Sequence, residues 1–456
     1  MNERGVSRVA VIGGGISGLA AALRVRDLMP SARITVIEGA GRLGGKLYTD
    51  EFAYGRIELG AEAFLVRRPE AKRLADRLGL ALDAPATTQA SVFTDEALRP
   101  LPSRTMLGIP ADLTALAQSG VLGPADVAHV NDEPDRPGPL LREDIAVGVL
   151  ARQRFGNALV DRLMDPLLGG VYAGFADEIS VRAALPQLAA KLEHTPSMVV
   201  GARSLMGSGV TSGPVFNTVH NGLSALVELV AATSGADIRL GLPARELQRR
   251  PDGWRVIVGM SRERQMVEAD SVIIACPARP ASRLLRSVAP HAAESLAQIE
   301  YAGVALVTFA LPPGTSLPPG SGVLVPAAAG LDVKAVTFSS QKWGREGTPI
   351  IRASLGRFGQ ERVLARDDDG LAELVIRDLL AMGIKVPTPI ATHVQRWGGA
   401  LPQYFVGHLD RLEQARRALP EGLAIAGAGY DGVGIPACIA SGQRAADQIL
   451  TRRVIR

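Results

Sequence analysis

Two cysteines in 456 residues are too few for a disulfide framework, and neither Cys276 nor Cys438 belongs to a metal or redox motif. Both sit in apolar runs, Ile-Ile-Ala-Cys-Pro and Ile-Pro-Ala-Cys-Ile, which reads as buried, inert thiols in a reducing compartment. Lysine is scarce too: only Lys46, Lys72, Lys191, Lys334, Lys342 and Lys385 occur among 50 basic residues. The formal charge of +4 is small, and no Lys/Arg run or aromatic-spaced basic patch occurs, so nucleic acid is not an expected partner. No uncharged apolar run reaches the roughly 18 residues a spanning helix needs. Peripheral membrane contact is left open. The six histidines, His129, His194, His220, His291, His393 and His408, are scattered and form no Ser/His/Asp, Cys/His or metal-ligand constellation. Each reads as a surface or capping residue. No catalytic side chain and no metal site is assigned, and no internal repeat or coiled coil is visible.

What is present is concentrated at the two ends. Val9-Ala10-Val11-Ile12 runs into Gly13-Gly14-Gly15-Ile16-Ser17-Gly18, and Glu38 follows the second apolar strand Ile34-Thr35-Val36-Ile37. Strand, glycines, helix, strand and acid in that order form a dinucleotide-binding fingerprint. Gly13 permits the tight turn, Gly15 lets the backbone approach a pyrophosphate, and Gly18 lets the helix pack against the sheet. The pyrophosphate would rest on the helix N-terminus at Ile16 and Ser17, where free N–H groups and the dipole favour an anion. Glu38 can accept from both ribose hydroxyls and would repel a 2′-phosphate. The fingerprint alone leaves NAD and FAD open. It begins so near the first residue that a signal peptide is not expected.

Gly39-Ala40-Gly41-Arg42-Leu43-Gly44-Gly45-Lys46 follows Glu38, an Arg-x-Gly-Gly-Lys loop whose N–H groups and cations can approach phosphate closely. Near the other end, Leu423-Ala424-Ile425-Ala426-Gly427 leads through Val433-Gly434-Ile435-Pro436 to Gly442 as strand, glycine loop and helix. Both stretches resemble motifs of the flavin amine-oxidase superfamily. That resemblance implies noncovalent FAD, held by Gly13, Gly15, Ile16, Ser17, Gly18, Glu38, Arg42, Gly44, Gly45, Lys46, Gly60, Ala61, Gly427, Val433, Gly434 and Ile435. It also implies an α/β fold: a discontinuous Rossmann-like FAD-binding domain from residues 1–66, 217–285 and 418–456. A mixed-sheet substrate domain would come from 67–94 and 286–417, and a helical insertion from 95–216. Within the insertion, the polar, proline-rich patch Asn131 to Pro139 reads as an exposed loop, with disorder left open.

Further stretches narrow the resemblance. Glu58-Leu59-Gly60-Ala61-Glu62-Ala63-Phe64, Asp165-Pro166-Leu167-Leu168-Gly169-Gly170-Val171-Tyr172-Ala173-Gly174, Lys342-Trp343, Arg396-Trp397, Leu401-Pro402-Gln403-Tyr404 and Gly407-His408 are similar to porphyrinogen oxidases of the HemY type. The Asp165 to Gly174 stretch lies outside the cofactor segments and reads as a glycine turn between two helices, lining the substrate cavity. The resemblance to the Gram-positive type implies oxidation of coproporphyrinogen III by O2 in haem biosynthesis, with protoporphyrinogen IX also accepted. It implies a cytoplasmic protein, and leaves transient contact with a downstream haem-pathway enzyme open. Arg68 stands where those relatives carry a basic residue, and Gly169, Gly170, Tyr172, Tyr301 and Lys342 complete the expected substrate-binding set. One departure concerns the strand Ser91 to Thr94. Membrane-attached eukaryotic relatives carry an arginine just before it, and here Ala90 stands there, which puts their substrate pose in doubt. Against a covalent-flavin amine oxidase, residues 395–422 contain no cysteine; against a non-catalytic escort protein, both flavin loops are intact. A carotenoid desaturase would carry longer apolar stretches.

Overall fold

A computed structural model describes residues 7–53, 55–206, 213–260 and 262–454. Its first layer is a parallel five-stranded sheet in the order Asp237–Arg239, Arg33–Ile37, Arg8–Ile12, Ser271–Ile274, Leu423–Ile425. Strands from both ends and the middle of the sequence are therefore neighbours. The two-residue period of Arg8–Ile12 divides its side chains: Val9 and Val11 face one core, Ala10 and Ile12 the other. On the first face lie the helices Ile16–Leu28, Leu223–Ser234 and Ile435–Val454. On the second lies a three-stranded antiparallel sheet, Ala244–Arg250, Gly253–Met260 and Glu263–Ala269, which contributes Trp254, Val256 and Val258. Parallel strands covered on both faces suit the near-continuous apolar runs in the sequence. The crevice beyond their carboxyl ends is where such sheets bind ligands.

The second layer is a mixed seven-stranded sheet in the order Ala391–Pro402, Tyr301–Ala310, Ile350–Leu355, Val333–Phe338, Gly322–Leu324, Ser91–Thr94, Ala97–Pro100. One face packs on the helix Asp368–Ala381 through Val336, Phe338, Ile351 and Ala353 against Leu371, Leu374 and Leu379. Its other face carries Thr337, Arg352 and Ser354 towards the cofactor segments.

The third body is helical and spans residues 113–206, with Phe155, Leu159, Leu163, Met164 and Leu168 in its core. Two expectations fail here. The patch Asn131 to Pro139 is exposed at most positions but not loose. Glu133 is fully buried inside it, accepting from Arg154 Nε at 2.9 Å, Ser197 Oγ at 2.6 Å and Met198 N at 2.8 Å. A buried, paired carboxylate at the start of the helix Met198–Met206 anchors the segment, and polar composition hid it. The stretch from Asp165 is likewise not a turn. It is the helix Asp165–Tyr172, continuing from a π-helical stretch Val160–Met164, and the chain turns only at Ala173, where φ is 51°. Pro166 follows directly on the π-helical stretch, where the i→i−4 ladder is already interrupted and can take a residue without an N–H. Among the described residues no helix is long and apolar enough to cross a membrane.

Candidate functional site

The first strand ends at Ile12 and the helix starts at Ile16 with no side-chain cap, leaving its leading N–H groups free for an anion. Gly13 turns with φ at +113°, and a Cβ there would lie 2.7 Å from Ala275 O. Gly18 is tighter: a Cβ would lie 2.0 Å from Gly13 O. Gly15 by contrast faces open space, as a residue touching a pyrophosphate must. Glu38 is locked under this loop, its carboxylate accepting from Gly14 N and Ala40 N, each at 2.7 Å. Its remaining lone pairs stay available to hydroxyl donors.

The second glycine loop packs on the first. Gly44 N donates to Gly14 O at 2.9 Å, and a Cβ on Gly45 would approach Gly15 Cα at 3.5 Å. Arg42 works inside its own loop, donating to Gly45 O at 2.8 Å and Leu43 O at 2.9 Å, with its guanidinium 4.0 Å over the Tyr48 ring. Lys46 is half-buried, and no ion pair involving it occurs among the described residues. Burial pulls its ammonium below the usual lysine range. A partly desolvated cation beside two bare glycine backbones suits a diphosphate. Gly60 and Ala61 close this side: Ala61 N donates to Lys46 O at 3.0 Å, and Gly60 O accepts from Arg352 at 2.9 Å.

The C-terminal loop meets the same place. A Cβ on Gly442 would lie 2.0 Å from Ser17 O, so the helices Ile16–Leu28 and Ile435–Val454 are nearly in backbone contact. Gly427 takes φ +133° and donates to Ser441 Oγ at 2.9 Å. Ser441 donates in turn to Asp431, which also pairs with Arg416 at 2.7 Å and Arg444 at 3.1 Å. Gly434, at φ +113°, opens to space just before Ile435 starts the last helix, with Val433 half-buried next to it. Cys438 is buried on that helix, and burial raises its thiol above the usual range.

The expected substrate residues separate into two groups. Arg68 caps no one: it precedes the helix Pro69–Arg77, pairs with Glu70 at 3.1 Å, and its Nη1 lies 3.8 Å from where a Cβ on Gly432 would stand. It therefore borders the C-terminal loop. Gly169 and Gly170 lie on the helix Asp165–Tyr172, with Gly170 exposed and beside Leu324. Tyr172 is buried 5.4 Å from the Tyr404 ring, and the Tyr404 hydroxyl donates to Ala428 O, tying this helix to the C-terminal loop. Tyr301 and Lys342 are engaged elsewhere. The Tyr301 hydroxyl accepts from Ala278 N at 2.9 Å and packs on Gly429; burial pushes its phenol up to about 12. Lys342 donates to Glu62 at 2.7 Å, and Arg352 lies 3.4 Å from the same carboxylate. Burial alone would raise Glu62, yet these two cations hold it down to about 2. Nearby Glu58 is pushed up to about 7 by burial, against the opposing hydrogen bonds from Leu223 N and Thr49.

Three functional neighbours were not singled out from the sequence. His408, expected as a surface or capping residue, is 1 % exposed at the start of the helix His408–Arg417 and stacked 4.1 Å from Tyr404, because the strand Ala391–Pro402 delivers Tyr404 and the next turn inside the structure. Trp397 Nε1 donates to Leu59 O at 2.7 Å and its ring lies beneath Arg42. Arg352 links Glu62 and Gly60. The signal for Tyr404 and His408 was their short spacing after a long strand; nothing local marked Arg352. Tyr404, His408, Arg182, Arg416 and Gly432 also line a cleft of about 520 Å³ behind the C-terminal loop.

The family model described as flavin containing amine oxidoreductase matches residues 16–450. A coproporphyrinogen III oxidase of Mycobacterium tuberculosis is 38% identical over 446 residues, 96% of each chain. A coproporphyrinogen III oxidase of Bacillus subtilis is 29% identical over 468 residues, covering 98% of each. Among solved structures, an Exiguobacterium sp. 255-15 protein described as a candidate protoporphyrinogen oxidase superposes with a TM-score of 0.87 at 31% identity, over 98% of this chain and 100% of the other.

Proposed function

Because this chain belongs to the flavin-containing amine oxidoreductase family, and within it to the relatives of the coproporphyrinogen III oxidases, we propose that it oxidises coproporphyrinogen III to coproporphyrin III with noncovalent FAD and O2. Six electrons leave the substrate in three pairs, and three O2 become three H2O2. The observation that carries the reading is the open backbone at Gly15 and Gly434, with Gly45 packed on Gly15, beside a helix N-terminus without a side-chain cap and the cation Lys46, which makes no ion pair among the described residues. FAD bound there would supply the two-electron acceptor and the site of reaction with O2.

The residues of the chain then have definite work. The N–H groups at Ile16 and Ser17, with Lys46, neutralise the pyrophosphate. Glu38, already fixed by two backbone donors, accepts from ribose hydroxyls. The Glu62, Lys342 and Arg352 cluster sets the position of Gly60 and of the loop it supports. Noncovalent binding fits the two thiols: burial raises Cys276 and Cys438 above the usual range, which makes both poor nucleophiles for a covalent link. A methylene bridge between two electron-rich pyrroles loses hydride without a strong base if its carbon is held in a dry pocket about 3–3.5 Å from the acceptor. The chain's task is orientation, and Arg68 beside Gly432 is placed to meet a propionate by exchanging its contact with Glu70.

The test is stoichiometry. Purified protein reconstituted with FAD should consume three O2 and release three H2O2 for each coproporphyrin III formed, and acid should release the flavin unmodified. A protein that takes up no flavin, or that takes it up and leaves coproporphyrinogen III unoxidised, contradicts the reading.

A further inference from the structure

Two buried cations lie outside everything assigned so far. Lys334 is 4 % exposed and Arg357 6 % exposed. Lys334 makes no ion pair, and its ammonium no hydrogen bond, among the described residues. Arg357 has one bond there, to Val325 O at 2.7 Å. The carboxylates that act on Arg357 are Asp165 and Asp332, neither within 4 Å. Asp332 is itself paired outward with Arg377 at 3.3 Å, and Asp165 accepts from Ala176 N at 2.8 Å. Positive charge is therefore in excess in a dehydrated place, where leaving an ion without a partner is strongly unfavourable. Burial, with Arg357 second, pulls the Lys334 ammonium down to about 7.

The sheet shows where Lys334 points. Val333 pairs with Leu355 and Ala335 with Ser354, so the strand bulges by one residue and Lys334 shares Ala335's place opposite Ser354. Val333, Val336, Ala353 and Leu355 fill the core on the Asp368–Ala381 helix, so Ser354 and the bulge lie on the opposite face. That is the face from which Arg352 reaches Glu62 and Gly60. A bulge that re-aims one side chain is common beside a binding site. The helix Asp165–Tyr172 borders the same spot: Gly170 lies beside Leu324, and Phe358 N donates to Ala173 O at 2.7 Å.

We propose that Lys334, supported by Arg357, receives a carboxylate of the substrate on the inner face of the mixed sheet, on the macrocycle edge that Arg68 does not hold, and so determines preference for a tetracarboxylate. The inference rests on the porphyrinogen reading given above. Coproporphyrinogen III presents propionates on both edges of the ring; protoporphyrinogen IX has vinyl groups at two of those positions. An ammonium and a guanidinium hold a carboxylate well and gain nothing from a vinyl group.

Lys334→Met tests this, since it keeps the length of the side chain and removes the charge. The kcat/KM ratio of coproporphyrinogen III over protoporphyrinogen IX should fall at least tenfold, through KM and not kcat, with the activity on protoporphyrinogen IX within threefold of wild type. Affinity for coproporphyrin III, measured at equilibrium on the FAD-loaded protein, should fall by a similar factor. Tm should hold or rise, because an unpaired buried charge is gone. Lys334→Arg should recover most of the preference. If Lys334→Met does not retain flavin, Arg357→Gln is read by the same ratio. A ratio within twofold of wild type in a flavin-loaded variant overturns the proposal. Wild-type protein that oxidises neither porphyrinogen overturns the underlying reading instead, and the two failures are distinguishable.

Discussion

The glycine-loop crevice and the charged cluster beneath the mixed sheet handle charge by different means. At the crevice the groups are backbone: the glycine stretches at Gly15 and Gly45 and a helix N-terminus without a side-chain cap, with Lys46 as the added cation. Beneath the mixed sheet they are side chains brought together from far along the chain, as with Glu62, Lys342 and Arg352. A backbone cradle tolerates no added atoms but needs no charge balance. A buried side-chain cluster tolerates shape changes better but fails when one charge is deleted.

The comparison is broken most decisively at Gly18. Gly18→Val places branched carbon where even a Cβ lies 2.0 Å from Gly13 O, so the turn cannot close. We expect no flavin to remain with the protein through gel filtration, read as lost absorbance near 450 nm; wild-type flavin content would refute the backbone account. Next in size is Glu62→Gln, which leaves Lys342 and Arg352 facing each other without a carboxylate. Breaking such a buried cluster costs about 3–5 kcal/mol, seen as a fall in the denaturant midpoint with flavin present. An unchanged midpoint would show that the cluster is not closed to water.

The two neighbouring glutamates sharpen the contrast because their signs are opposite. Glu62 has a depressed folded pKa of about 2, so its stabilisation is complete above the ordinary carboxylate range and is lost as pH falls from there towards 2. Glu58 has a raised folded pKa of about 7. Folding is penalised by its ionisation, with no penalty below the ordinary range, a growing one as pH rises to 7, and the full cost above it. Glu58→Gln should therefore raise Tm at pH 8 and leave it nearly unchanged at pH 4.5. Equal shifts at both values would mean that Glu58 stays charged. The smallest effect is expected at Arg68, which is partly exposed and already shares Glu70. Arg68→Ala should raise KM for coproporphyrinogen III about three- to tenfold with little change in kcat, as for loss of uniform binding. An unchanged KM removes it from the site.

The same division explains what the sequence could reveal. Gly13, Gly15, Gly18 and Glu38 act through local backbone geometry at fixed spacing, and spacing is visible in a string of letters. The apolar strands Arg8–Ile12, Arg33–Ile37 and Leu423–Ile425 were legible for the same reason. Lys342 drew notice as a cavity residue because nothing near it in sequence discloses Glu62, 280 positions away. Glu133 looked like solvent-exposed loop composition because its partners Arg154 and Ser197 lie far along the chain. The Asp165 to Gly174 stretch looked like a turn because glycines weaken a helix, while the packing that rescues it against Leu324 and Tyr404 is tertiary.

The account as a whole rests on the proposal that a porphyrinogen reaches a flavin held by these loops. The most direct measurement is anaerobic mixing of the FAD-loaded protein with coproporphyrinogen III and, separately, with protoporphyrinogen IX, following flavin absorbance. Rapid bleaching by the first and slower bleaching by the second is the predicted result. Equal or faster bleaching by protoporphyrinogen IX would contradict the proposed substrate preference, and no bleaching by either would contradict the account itself.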